Sequence, residues 1–345
     1  MRTLARLLVL LALTTLALGE INQQLVVFAV DGLTTGASTP RYMPKTHVMA
    51  DRGLYTAHMR AEHDTADSRV AWDPVFYASS TSERGCDNNG CDSVPRAIDD
   101  MPNWVDVLEE DEDFTVSIFS EDKEMLDEVL DRNSLGYAPM ARTMEEAVVD
   151  YHFPDTPNQL VLIHFSGLNR LGMVSGYESF NYKALVACID DSIDVMARTL
   201  WERCPNCTTF MLMSNHGGRH YEHRSFVIDV IQVPFMLWGH HVAGHLHVDD
   251  QSLQTVQIGP TILTVLDAED SIPEFWIQKA IRDISGPDGV VLSTLPPPAV
   301  EEEERADCSI IPISVSHHVI SSMNRITIVL TGGAMLVFGA FFFVF

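Results

Sequence analysis

Hydrophobic positions in this chain fall into short continuous runs, separated by stretches with a helical period. Gln24 to Val30 (QLVVFAV) is apolar without alternation and stops at Asp31-Gly32, the pattern of a strand buried on both faces with a carboxylate at its carboxyl tip. Phe114 to Phe119 (FTVSIF), Leu160 to Phe165 (LVLIHF), Thr208 to Met213 (TTFMLM) and Val233 to Trp238 (VPFMLW) are further strand candidates. Between them the spacing predicts a short helix within Met43 to Gly53, an amphipathic one from Trp104 to Glu110, another from Asp122 to Asp131 and a long one from Tyr182 to Glu202. Apolar strands alternating with helices predict an α/β domain: a mostly parallel central sheet flanked by helices on both faces. Ligands gather at the carboxyl ends of the strands in such a sheet, which puts Asp31, Asn169 and Asn215-His216 on one edge.

Two apolar stretches lie outside this pattern. Residues 1–20 carry two arginines, a Leu-rich run and then small residues, the layout of a cleavable secretory signal. Residues 326–345 (ITIVLTGGAMLVFGAFFFVF) follow a polar spacer, with Ser314 and Ser316 as candidate anchor sites; the segment reads as a GPI-attachment signal or as a single membrane span. One domain is expected over 21–284. A stalk and spacer follow over 285–325, where three consecutive prolines and four consecutive glutamates leave too little apolar surface to pack. Either reading of the C-terminal segment places the folded part in the secretory pathway or at the cell surface, on the luminal or extracellular face of a membrane.

Cysteine usage fits an oxidising compartment. Cys86 and Cys91 flank a DNNG turn and Cys204 and Cys207 bracket Pro-Asn, so two short-range disulfides are expected, Cys86–Cys91 and Cys204–Cys207. Cys188 lies on an apolar helical pattern and reads as a buried thiol. Asn206-Cys207-Thr208 is a glycosylation sequon in a loop. A net charge of −26, from 22 Lys and Arg against 48 Asp and Glu, excludes nucleic acid as a partner. The His-rich stretch WGHHVAGHLHVDD is read as a surface loop.

Several stretches, taken in order, resemble the alkaline phosphatase superfamily, and most closely its type I phosphodiesterase/nucleotide pyrophosphatase branch. VVFAVDGL, Thr39-Pro40 and ADRG (Ala50 to Gly53) look like the family's opening. SRVAW, with YASSTSERGC after it, is similar to the family's nucleophile segment and its later Gly-x-x-Pro-Glu-x-His-Gly, and MPNWVDVLEE looks like the segment after that. NRLGMVSGYESFNY looks like Asp-x-x-Gly-His-x-x-Gly leading into a long helix, and SNHGG with His223 like Ser-Asp-His-Gly-Gly with its distal His. VPFMLWG and IGPTILTVL match the closing segments. The resemblance runs from about Leu25 to about Ile284 and implies an alkaline-phosphatase-like fold.

It also implies a two-metal site whose ligands can be read residue by residue. The first position keeps Asp31, the nucleophile position Ser68 and His216, but has Asn215 where the family has Asp. The second keeps His223, with Asn169 replacing Asp and Met173 replacing His. Ala71 stands where the family's Asn would hydrogen-bond a phosphate oxygen. A zinc site takes three or four N, S or O ligands with deprotonated groups offsetting its charge, and a thioether is too soft to replace imidazole. A two-zinc centre is therefore not expected; the first position retains enough for one divalent ion (Zn, Mg or Ca) bound weakly. The expected protein is a catalytically impaired pseudo-phosphodiesterase acting as a binding or surface protein at a membrane, with a protein or phosphoester ligand that the sequence does not identify. The alternative is an active phosphodiesterase or phosphatase working with one remaining metal and Ser68 as nucleophile.

Overall fold

The computed structural model describes residues 23–61, 68–80, 102–110, 114–130, 136–137, 141–153, 158–223, 227–240, 242, 246–247, 253–273, 276 and 279–281. All lie in one compact unit that covers 1–306; a second unit, 307–345, lies outside the described residues. The expected signal, stalk and apolar C-terminal segment, the Cys86–Cys91 pair and most of the His-rich stretch also fall outside them. Among the described residues no helix is long and apolar enough to cross a membrane.

Among the described residues, eight strands form one sheet: β1 (Gln23–Val30), β2 (Leu54–Arg60), β3 (Phe114–Ser120), β4 (Gly136–Tyr137), β5 (Asn158–Phe165), β6 (Thr208–Met213), β7 (Gln232–Gly239) and β8 (Leu246–His247). Their spatial order is β4-β3-β5-β1-β6-β7-β2-β8. β1 pairs in parallel with β5 on one side and β6 on the other, so its side chains from Gln24 onward are buried whichever face they point to. That central position explains a run with no polar alternation. β7 pairs antiparallel with both β6 and β2, so it alone among these strands opposes the common direction.

Helices cover both faces. On one side α2 (Ser68–Tyr77), α3 (Trp104–Glu109), α4 (Lys123–Leu130) and α9 (Ile258–Val265) share a core with Leu25, Val27 and Ala29 of β1. On the other, α7 (Phe180–Arg203) packs against α1 (Pro44–Ala50), α5 (Ala141–Asp150) and α6 (Gly167–Ser175). Phe28, Phe210 and Trp238 stack beneath them at centroid distances of 5.5–6.4 Å. α8 (Ile228–Ile231) is a single turn before β7.

Helix ends follow local chemistry. Pro44 opens α1, where its missing N–H costs nothing. Asn103 and Asp106 form a capping box on α3, and Ser179 caps α7 by accepting from the Tyr182 N–H. Cys204 and Cys207 are disulfide-bonded across 5.4 Å between Cα atoms, bracing the turn from α7 into β6 with Asn206 exposed at its tip. Cys188 corrects an expectation: it is buried on α7 but disulfide-bonded rather than a free thiol. Burial is common to both states, so the helical pattern could not tell them apart.

Candidate functional site

The sheet register delivers three strand ends to one edge. Val30 stands beside Phe165 and Ala29 beside Met213, so Asp31, the segment from Ser166 into α6, and Ser214 to His216 emerge side by side. The chain turns at once after Asp31. Gly32 has φ +73°, where a side chain would be strained, and a Cβ there would meet the Asn169 side chain at 3.0 Å. The turn is pinned from two sides: the Leu33 N–H donates to Ser214 Oγ at 3.1 Å, while the Tyr182 hydroxyl donates to the Gly32 carbonyl at 2.6 Å and accepts from the Thr34 N–H at 3.1 Å. On the neighbouring strand end, Glu121 Oε2 accepts the Ser166 and Gly167 N–H groups at 2.9 and 2.7 Å, fixing the start of α6. Burial pushes the Glu121 carboxyl up, against those N–H groups and the Arg170 charge.

Asp31 is the hub of the edge, and it is 3% exposed. Asn215 Nδ2 donates to its Oδ1 at 2.8 Å, His216 Nε2 lies 3.2 Å from the same oxygen, and Asn169 Nδ2 donates to Oδ2 at 3.2 Å. The orientation of both amides is forced. Asn215 Oδ1 accepts from the Gly32 and His216 N–H groups at 3.2 and 2.9 Å, and Asn169 Oδ1 accepts the Tyr177 hydroxyl at 2.5 Å; only the NH2 ends are left for the carboxylate. His216 Nδ1 lies 2.6 Å from the Gly217 carbonyl, so both ring nitrogens face oxygens. Burial alone would raise the Asp31 carboxyl. The hydrogen bond and charge of His216, the His164 ring and the Asn215 amide outweigh it and hold the group at about 2.

A second cluster adjoins the first, and Tyr177 is its centre. The ring lies between Gly172 and Gly218, where an added Cβ would come within 2.5 and 2.4 Å of it. Its hydroxyl donates to Asn169 and accepts from His223 Nδ1 at 3.1 Å, and the His223 ring stacks on His216 with centroids 4.3 Å apart. The Tyr177 N–H donates to the His220 carbonyl at 2.7 Å, and the His220 N–H donates to the Glu178 carboxylate. Burial, helped by the Asp31 charge, pushes the Tyr177 hydroxyl far above its ordinary value, so it stays protonated.

The structure thus unites Asp31, Asn169, Asn215, His216 and His223. Met173 is not among them; it stands 38% exposed on α6. Ser68 is the first residue of α2, and its side chain lies outside the described residues. Sequence pattern missed Tyr177, Tyr182, Ser214 and Glu121. The signal available for Tyr177 was the surrounding glycines, which mark a close approach without saying what approaches. His164, also missed, is wholly buried on β5 behind Asp31. Ser120 Oγ lies 2.9 Å from its Nδ1, its Nε2 has no hydrogen-bond partner, and it meets the Trp72 ring edge-on. Burial, opposed by the Asp31 and Asp122 charges, lowers it to about 4.

Two divalent ions would need lone pairs turned toward them. Around Asp31 two amides present N–H donors instead, and between Asn169 and His223 a phenol is hydrogen-bonded to both. Among the described residues no group of three or more His, Cys, Asp or Glu side chains is arranged to hold a metal ion. The residues present do not fit a two-metal centre.

No protein-family model matches the chain, and no curated protein matches it by sequence. Solved structures do match. A 2-O GAG sulfatase superposes with a TM-score of 0.58 at 13% identity, over 75% of this chain and 73% of that one. A protein of the alkaline phosphatase superfamily from Vibrio parahaemolyticus gives 0.54 at 11%, over 71% and 66%. Phosphonate monoester hydrolase from Silicibacter pomeroyi gives 0.53 at 11%, over 75% and 76%. At such identities the likeness is one of fold: the chain has an alkaline-phosphatase-like fold.

Proposed function

We propose, on the premise of that fold, that this chain is a catalytically silent relative of the phosphodiesterase/nucleotide pyrophosphatase branch. It sits on the luminal or extracellular face of a membrane, held by a GPI anchor or a single span, and acts by binding a protein or phosphoester ligand. One observation carries the silent part: both oxygens of Asp31 are taken up by amide and imidazole N–H groups. With Asp in place of Asn215, the same backbone would set two carboxylate oxygens 2.8 Å apart, a pair that needs a metal ion or a shared proton between it. The amide removes that need, so the fold closes on itself without metal. Loss of a charge-directed donor costs about 10²–10³ in rate, and loss of the metal that activates the nucleophile costs more, acting on the same transition state. The membrane location and an Asn206 glycan draw support from the sequence segments at 1–20 and 326–345 and from an exposed Asn206 in a disulfide-braced turn.

The test is metal content and hydrolysis of an aryl phosphodiester by the purified chain. Zinc well below one per chain with background hydrolysis is expected. Stoichiometric zinc with turnover abolished by Ser68→Ala would refute the reading and establish a one-metal enzyme instead.

A further inference from the structure

We infer that Tyr177 occupies the second metal position, so that this position is filled rather than merely stripped of ligands. The inference rests on the reading of the cleft as a former two-metal site, and it adds a determinant that the ligand substitutions do not contain. Two residues mark the position, Asn169 and His223. They meet through one atom, the Tyr177 hydroxyl, which is 2.5 Å from Asn169 Oδ1 and 3.1 Å from His223 Nδ1.

The chemistry of those contacts closes the position. The hydroxyl proton goes to the amide oxygen, so the phenol oxygen accepts from His223, whose Nδ1 must carry the ring proton. Asn169 Oδ1 and His223 Nδ1 are thereby both turned to the phenol. The ring cannot easily swing away, because it is 1% exposed and seated against Gly172 and Gly218. Its backbone is held as well, through the Tyr177 N–H to the His220 carbonyl at 2.7 Å. Even a restored ligand set would therefore face an oxygen-capped aromatic ring where its ion should sit.

This separates two routes to silence that activity alone cannot distinguish. If lost ligands were the whole cause, then Asn169→Asp, Met173→His and Asn215→Asp together would restore two ions. With Tyr177 in place, the full chain carrying these three changes should bind no more than one zinc; adding Tyr177→Ala should raise this to two, and adding Tyr177→Phe, which keeps the ring, should leave it at one. Zinc per chain after dialysis is the readout, with circular dichroism to confirm folding. Two zinc ions with Tyr177 intact would overturn the inference, and so would one zinc in a folded chain carrying Tyr177→Ala.

A second measurement needs only the natural chain and Tyr177→Phe. Nitrogen-15 NMR of the His223 ring should show the Nδ1-protonated tautomer in the natural chain and its loss in the variant; an unchanged ring would overturn the assignment. Stoichiometric zinc with turnover in the natural chain would defeat the silent-enzyme reading by itself, independently of these outcomes.

Discussion

The two halves of the cleft are held together in different ways. The Asp31 half centres on a buried carboxylate that two amide N–H groups and the His216 ring surround. The Tyr177 half keeps His223, but the space beside it belongs to a buried ring and a phenol. One half is organised around a charged carboxylate, the other around a neutral phenol and its ring. The first should therefore be governed by electrostatics and the second by packing and neutral hydrogen bonds. A buried ion left unpaired costs about 3–5 kcal/mol, while a neutral buried group deprived of its partner costs about 1–3 kcal/mol.

That difference sets the largest expected effect. Asp31→Ala strips the acceptor from two amides and from His216 together, leaving several buried donors unsatisfied at once, and should lower unfolding free energy by about 3–5 kcal/mol. Tyr177→Phe keeps the ring and removes one hydroxyl from between Asn169 and His223, so about 1–2 kcal/mol is expected. Urea unfolding of both variants at neutral pH measures the contrast. Equal losses would mean that the Asp31 half is not held by charge, and the distinction between the halves would fail.

Acid should act on the charged half from behind. His164 lies under Asp31 with its Nε2 unpartnered, and its folded value of about 4 is below the ordinary 6.5. A histidine depressed in this way contributes stability that is fully present above about 6.5 and is lost as pH falls toward 4, by about 3 kcal/mol. Asp190 works in the opposite sense. Burial raises it to about 6 despite bonds from Thr46 and Lys45, so its contribution is fully present below about 3.8 and declines as pH rises through 6. Comparing the natural chain with His164→Asn cancels the Asp190 contribution. The stability gap between them should narrow by about 3 kcal/mol from pH 7 to pH 4, and a constant gap would show that His164 is not held neutral by burial.

Legibility in the sequence divides along the same line. β1, β5, β6 and β7 stood out because burial on both faces leaves no polar alternation to obscure them. β2, with half-buried and exposed positions along LYTAHMR, and α2, with Pro74 inside it, carry no such signal. In the cleft, Asp31, Asn215 and His216 could be placed because strand ends fix them. Which end of each amide faces Asp31 is settled by partners far off in the chain, Gly32 and Tyr177, and no local pattern reports it. Tyr177 itself was hidden because an aromatic residue between glycines reads as ordinary packing until its hydroxyl is located.

The smallest effect should come from the residue that looked most damaging by type. Met173 replaces a ligand in the resemblance and lies four residues after Asn169, a spacing that sets two helical side chains on neighbouring turns of one face. In the fold it is 38% exposed, and it is not among the residues that meet at Asp31 or Tyr177. Met173→His alone should therefore change unfolding free energy by no more than about 0.5 kcal/mol, as exposed substitutions usually do. It should also leave zinc binding where it was, because the new imidazole would find Asn169 and His223 still bonded to the phenol. A single change that brought stoichiometric zinc would show the second half of the cleft to be open, and the contrast between a neutralised half and a filled one would collapse. Equilibrium dialysis against zinc beside a urea titration of the same variant reads both quantities.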